Sequence, residues 1–259
     1  MLPKFIWLVV ISAAVAITPQ TPDFAKRLSA PELQARMKAI TDLEQAAAAD
    51  PSVLADQLLQ KALLTLLEAE NARVAENLAS FQATQHSQLG EGYAEYYAQV
   101  LGLANRIRSD DRLSSPALDS RLRRALVFGT YNPDSEFVGD LARDGDAIVP
   151  FVLELSRATD GPSKWNANAL IGALFASQKA GALAAPLSAS SAASLRAASR
   201  AALADPAPDV RRWAVRAVMR AEDKAAVPKL EQLAKSDPDA DVGGHSVRSL
   251  AAEALRHLR

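Results

Sequence analysis

Three aspartates at alternate positions, Asp237, Asp239 and Asp241, open the stretch DPDADVGGHSVR and pose the first chemical question. An EF-hand gathers oxygens for Ca²⁺ from carboxylates at its first, third and fifth positions, turns on a glycine at the sixth, and closes with a bidentate glutamate at the twelfth. Here the sixth position is Val242 and the twelfth is Arg248, so the turn is lost and a cation stands where the best ligand belongs. The stretch also has a twin. Asp205-Pro206-x-x-Asp209-Val210 returns 32 residues later as Asp237-Pro238-x-x-Asp241-Val242, whereas the residues that follow return 37 later. It reads as an inter-helix linker lengthened by five residues, two of them glycine. Its aspartates suit the positive N-terminal end of the next helix.

The other residues capable of chemistry do not assemble into a catalytic pattern. His86, His245 and His257 form no i,i+4 pair and no HExxH helix, so no zinc site is expected. There is no cysteine, which excludes disulfides, thiolate metal sites and thiol nucleophiles. No G-x-S-x-G elbow and no glycine-rich phosphate loop occurs. Asp110-Asp111 and the Asp144/Asp146 pair sit at turn-like positions, where carboxylates cap helices. No catalytic residue, cofactor or metal is therefore expected.

Two surface features stand out. Arg212, Arg216 and Arg220 are four apart and line one helix face, and Arg196 and Arg200 repeat the spacing on an earlier helix. Such stripes suit an acidic peptide, a phosphate or a nucleic-acid backbone, or else form a solvated face balanced by Asp209, Glu222 and Asp223. Tyr93, Tyr96 and Tyr97 have helical spacing and belong in a core, unless one turns outward to stack on a ligand. Tyr93 and Tyr97 join the arginines as a candidate binding surface. The net charge of −1 gives no global attraction to nucleic acid or to an anionic membrane.

The elements that must position these residues are helices. Apolar residues make up 49% of the 259-residue chain, aromatics only 5%, and alanine is abundant, which favours closely packed helices. Proline repeatedly stands one place behind a residue able to cap, at Asp50-Pro51, Ser115-Pro116, Asn132-Pro133 and Gly161-Pro162. Ser29-Ala-Pro-Glu32 has the spacing of a capping box. Val53, Leu54, Gln57, Leu58, Lys61, Ala62, Thr65 and Leu66 trace one helical stripe, with Leu59, Leu63 and Leu67 beside it, and Tyr93 to Ile107 trace another. No segment alternates as a strand would. Residues 82–92 (QATQHSQLGEG) read as a polar loop between a helical segment at 23–81 and an array at 93–259.

The N-terminus has a different character. Lys4 precedes an uncharged run from Phe5 to Ile17, too short for the roughly 20 residues of a spanning helix, and Ala14-Val15-Ala16 offers a signal-peptidase site. Residues 1–16 are expected to be a cleaved secretory signal, with residues 5–17 as an uncleaved anchor the alternative. The mature chain is expected in the periplasm or outside the cell.

Self-similarity organises the rest. Trp213-Ala-Val-Arg-Ala217-Val218 is matched 37 residues later by Leu250-Ala-Ala-Glu-Ala254-Leu255 and 48 residues earlier by Trp165-Asn-Ala-Asn-Ala169-Leu170. Val149-Pro150, Ala185-Pro186 and Val227-Pro228 mark partner helices. Small alanines at 214, 217, 251 and 254 let helices approach, and Trp213 or Leu250 is expected to fill the space between layers. With the linker and Val210-Arg211-x-x-Ala214 at its end, the chain resembles the HEAT-repeat family, especially its bacterial short form, most clearly over residues 146–259. Residues 185–204 depart from it, being longer and rich in serine and alanine. The resemblance implies an all-α solenoid of stacked antiparallel helix pairs. That fold suits a non-catalytic module binding another protein; the alternatives are a HEAT-like lyase or isomerase and a component that self-associates through an uncapped end.

Overall fold

The computed structural model describes residues 23–84, 89–110, 112–113, 115–128, 136–239 and 246–259. Among them there is no strand, and no helix is long and apolar enough to cross a membrane. The signal segment, Asn132-Pro133, His86, Asp111 and the run from Ala240 to His245, with Asp241, lie outside the described residues.

Among the described residues, twelve α-helices pair in chain order. They are α1 (Phe24–Leu28) with α2 (Leu33–Ala49), α3 (Gln57–Thr84) with α4 (Tyr93–Ser109), and α5 (Pro116–Phe128) with α6 (Glu136–Ala142). There follow α7 (Val149–Ser156) with α8 (Gly161–Lys179), α9 (Ala189–Ala202) with α10 (Pro208–Arg220), and α11 (Val227–Ser236) with α12 (Val247–Leu258). Each pair packs internally, and the pairs then stack. In one layer α1 packs on α3, α3 on α5, α5 on α7 and α7 on α9; in the other α2 packs on α4, α6 on α8, α8 on α10 and α10 on α12. The chain is thus a helical-repeat solenoid of the HEAT/armadillo-like kind, and the alternation begins at residue 24, well before the part whose sequence repeats visibly.

Side-chain caps explain several helix starts. Asp50 accepts from the Ser52 N–H and begins a 3-10 turn at Pro51–Ala55, after which Asp56 accepts from the Leu58 and Leu59 N–H groups and starts α3. Ser115, Asp160, Ser188 and Ser246 cap α5, α8, α9 and α12 in the same manner. Ser29 does not form the expected box: its hydroxyl donates back to the Ala25 carbonyl and ends α1, and α2 starts at Leu33. Helix α3 also continues to Thr84, into the segment read as a loop. Its buried stripe is Leu59, Leu63, Leu66 and Leu67, and Leu58, assigned to the neighbouring stripe, is 73% exposed.

Helices α7 and α11 follow 3-10 turns and start at Val149-Pro150 and Val227-Pro228 as expected. The middle partner differs. Ala185-Pro186 precedes α9 as loop, and the Ala185 carbonyl lies so close to Gly145 that a Cβ there would sit 2.8 Å from its oxygen. Gly145 also has φ +59°, so only glycine fits the turn that admits this long connection.

One apolar cluster runs from Phe24 through Leu195 and takes in Ala217 and Ala221. A second joins Leu203, Ala214, Val215 and Val218 to α11 and α12. Helix α10 serves both, as expected of a stack in which each layer touches its neighbours. Ala214, Ala217, Ala251 and Ala254 are fully buried and Leu250 nearly so. Trp213 is not the buried spacer expected; it is half-buried on the opposite side of α10.

Candidate binding surface

The arginines and aspartates divide by face. Buried positions of α10 (Val210, Arg211, Ala214, Val215, Ala217, Val218) share one side of the helix, which leaves Asp209, Arg212, Trp213, Arg216 and Arg220 on the side turned away from the partner layer. Arg212 on that side is already engaged: it pairs with Asp209 at 2.6 Å and with Asp239 at 2.8 Å. The guanidinium of Arg216 lies over the Trp213 ring, 4.5 Å from its centroid. Arg220 is exposed and makes no ion pair among the described residues.

Arg196 and Arg200 belong to a different face. Both reach from α9 to the end of α10, Arg196 donating to the Ala221 carbonyl while covering the Phe175 ring at 4.8 Å, and Arg200 pairing with Asp223 at 2.6 Å. They staple α9 to α10 and are not part of the α10 stripe. Tyr93 and Tyr97 are only 2% and 7% exposed, so the outward role offered for them does not hold. Tyr97 donates to the Asn71 side chain at 2.6 Å. Tyr93 and Tyr96 donate to the two oxygens of Glu70, at 2.7 and 3.0 Å. Burial, with the Glu70 carboxylate beside them, pushes both phenols above the usual tyrosine value.

Glu70 is the most enclosed carboxylate of the N-terminal half and the group most like a catalytic acid. It is 2% exposed, and besides the two phenols it accepts from Nε and Nη2 of Arg36 at 3.2 and 3.1 Å. Oε1 thus takes three donors and Oε2 takes Tyr93, with Arg73 Nε a further 3.5 Å from Oε2, and the group ties α2, α3 and α4 together.

Arg36 reveals the device that the sequence left hidden. Its Nη1 donates to the carbonyls of Ala30 and Pro31 at 2.9 and 2.7 Å. Arg211 does the same in the second half, giving Nη1 to the Asp205 and Pro206 carbonyls at 2.8 Å and its other nitrogens to Asp237 at 2.8 Å. The signal was present as Pro31-x₄-Arg36 and Pro206-x₄-Arg211. Arg248 completes the series: it donates to the Asp237 carbonyl, eleven residues back where Arg211 reaches six, which are the five residues inserted in the lengthened linker. Asp237 and Asp239 thus face Arg211 and Arg212, and Lys164 pairs with Asp205 at 2.8 Å in the preceding repeat. The other edge of the stack is tied by Arg108 with Asp144 and Lys179 with Glu222.

The clefts among the described residues are open rather than enclosed. One of about 450 Å³ between α7 and α9 is floored by Lys164 and Asp205 and walled by Ser194, Ala197 and Ala201. The exposed side of α12 carries Arg248, Glu253, Arg256 and His257, a polar face rather than the open apolar end considered for self-association.

No protein-family profile matches the chain, and no curated protein matches it. Among solved structures it is similar to a designed armadillo repeat protein in complex with the peptide (KR)4, at 15% identity over 93% of this chain and 100% of that one, with a TM-score of 0.45. A second designed armadillo repeat protein matches at 16% identity, 92% and 99% coverage and a TM-score of 0.41. Computationally designed armadillo repeat proteins for modular peptide recognition match at 18%, 92%, 99% and 0.42. The architecture given above rests on the packing of this chain's own helices.

Proposed function

We propose that the protein is a non-catalytic module that binds another protein through the outer face of its even-numbered helices, and that it works in the cell envelope. One observation carries the binding role: Trp165 and Trp213 stand half-buried on the packed helices α8 and α10, Arg216 lies over the Trp213 ring, Arg220 reaches across to Gly172, and neither arginine has a carboxylate partner among the described residues. Tryptophan and arginine are the residues that most often dominate protein interfaces, because each brings large area or several donors at small conformational loss. By contrast, Glu70, Asp144, Asp223 and Asp237 are each closed within structural pairs. The envelope assignment rests on residues 1–16 and their signal-peptide pattern.

Crosslinking in intact cells followed by co-purification of the exported chain tests both parts. The expected result is one specific partner recovered from the envelope fraction. Recovery of none, or of the chain from the cytoplasm with residues 1–16 intact, counts against the reading.

A further inference from the structure

We infer that Trp165, Gly172, Trp213, Arg216 and Arg220 form one patch that takes an acidic, extended segment of a partner protein, with carboxylates on the two arginines and an apolar side chain against the indoles. The inference rests on the protein-binding reading and specifies the partner's chemistry.

The patch is continuous across two helices. A Cβ on Gly172 would meet Cδ of Arg220 at 3.2 Å, its Nη1 at 3.4 Å and Cα of Ala217 at 3.6 Å. The stem of Arg220 therefore lies across α8, in the space the glycine leaves. Trp165 and Trp213 each stand seven residues, about two helical turns, before Gly172 and Arg220 on the same stripes of two helices that pack together.

Its charge selects the ligand. Arg216 and Arg220 are one turn apart, about 6 Å between Cβ atoms. Neither donates to a protein acceptor among the described residues, so their guanidinium forks are available to carboxylates. Arg216 is already ordered by the Trp213 ring, which lowers the entropy lost on binding. Arg216 and Arg220 span a single helical turn, too short for the phosphate track of a nucleic acid, and the neighbouring Arg212 is already neutralised by Asp209 and Asp239. The indole N–H of Trp165 is enclosed without an acceptor among the described residues. Turning that ring toward a carbonyl of an incoming strand gains a hydrogen bond.

The test titrates a short fluorescein-labelled peptide of alternating glutamate and leucine into the full chain, reading anisotropy and tryptophan emission. Sister peptides carry lysine or glutamine in place of glutamate, or serine in place of leucine. Saturable binding of the glutamate–leucine peptide alone is expected, weakening with added salt. Arg216→Glu with Arg220→Glu is expected to weaken it about hundredfold, roughly tenfold per reversed charge. Gly172→Ala, which displaces only the Arg220 stem, is expected to weaken it about threefold at an unchanged melting temperature. No binding, equal binding of the lysine peptide, or unchanged binding by the double reversal overturns the proposal. Photo-crosslinkers at exposed Ala176 on α8 and exposed Ala197 on α9 separate it from the broader reading. Capture of the native partner at Ala176, competed away by the acidic peptide, supports the patch. Capture at Ala197 alone overturns the patch and leaves protein binding standing; capture at neither overturns both.

Discussion

Replacing Arg211 by alanine removes the guanidinium whose Nε and Nη2 both meet Asp237, and the consequence follows from the geometry. The Asp237 carboxylate is 1% exposed and receives Nε and Nη2 of Arg211 at 2.8 Å. Leaving such a group enclosed without its partner costs about 3–5 kcal/mol, a large part of the roughly 5–15 kcal/mol that holds an ordinary domain together. The Asp205 and Pro206 carbonyls lie in a partly exposed turn where water replaces the lost donor, so they add little. The loss is also local. Helices α11 and α12 share an apolar cluster with one side of α10, and in a stacked array damage stays with the nearest neighbours. Hydrogen exchange of the amides from Val227 to Leu258 should then accelerate by about 10² to 10³, while α2 to α4 keep their protection. Asp237→Asn in the Arg211→Ala background should recover about half of the loss, since the charge is gone and only a polar amide remains buried. A loss below about 1 kcal/mol, or equal acceleration in α2 to α4, would refute the clamp and the locality together.

The same pair has a pH signature. Burial alone would push the Asp237 carboxyl up, but hydrogen bonds from Arg211 and from the Asp239 N–H outweigh it and hold the group below the usual aspartate value. A folded pKa below the unfolded one gives a contribution that is complete above the unfolded value, about 3.9, and is lost as pH falls through the folded value. Protection of α11 and α12 should fall first on acidification below about pH 4, and Asp237→Asn should remove that dependence.

Three further predictions test other parts of the stack. Tyr93 and Tyr96 have folded pKa values raised by burial and by Glu70, so their contribution is present below about pH 10 and is lost as pH rises above it; phenolate absorbance should show both ionising only as helicity collapses, and smooth ionisation of the intact fold would contradict the Glu70 network. Leu63→Ala should destabilise by about 2–5 kcal/mol in urea melts while exposed Leu58→Lys stays within about 0.5 kcal/mol, and the reverse order would mean that the α3 register is wrong. Ser199 is fully buried with a hydroxyl that has no partner among the described residues, so Ser199→Ala should raise stability by about 1 kcal/mol; a clear loss would reveal an acceptor.

Helix class and repeat logic could be read directly, because alanine content, caps and the spacing from Trp165 to Leu250 report on local structure. The register of α3 could not be read with the same security. Both of its candidate stripes are rich in leucine, and only the helices packed around α3 decide that Leu63 is covered while Leu58 is bare. The site was harder still. A row of arginines four apart describes a helix face and says nothing of what stands opposite. Asp239, 27 residues beyond Arg212, and Asp223, 23 beyond Arg200, reach those arginines only through the packing of helices far apart in sequence. The tyrosines were ambiguous for the same reason, since Glu70 lies 23 residues before Tyr93.

Arg36 and Arg211 turn this difficulty into a rule for the chain. In each, one nitrogen fastens the linker that leads into its own helix, and the rest of the guanidinium grips a carboxylate contributed by the next repeat unit along, Glu70 within α3 or Asp237 before α12. Arginine suits this position because a planar fork meets two groups at fixed angles, which a lysine ammonium does not. A solenoid has no long-range closure, so it needs such joints at its seams. What a charged residue does here is therefore decided by whether a neighbouring repeat supplies its counter-ion. By that criterion Arg211 and Arg212 belong to the scaffold; Arg196 and Arg200 join it through the Ala221 carbonyl and Asp223 at the end of α10, and Arg216 and Arg220, the first lying over the Trp213 ring and both lacking a counter-ion among the described residues, are left to meet a partner.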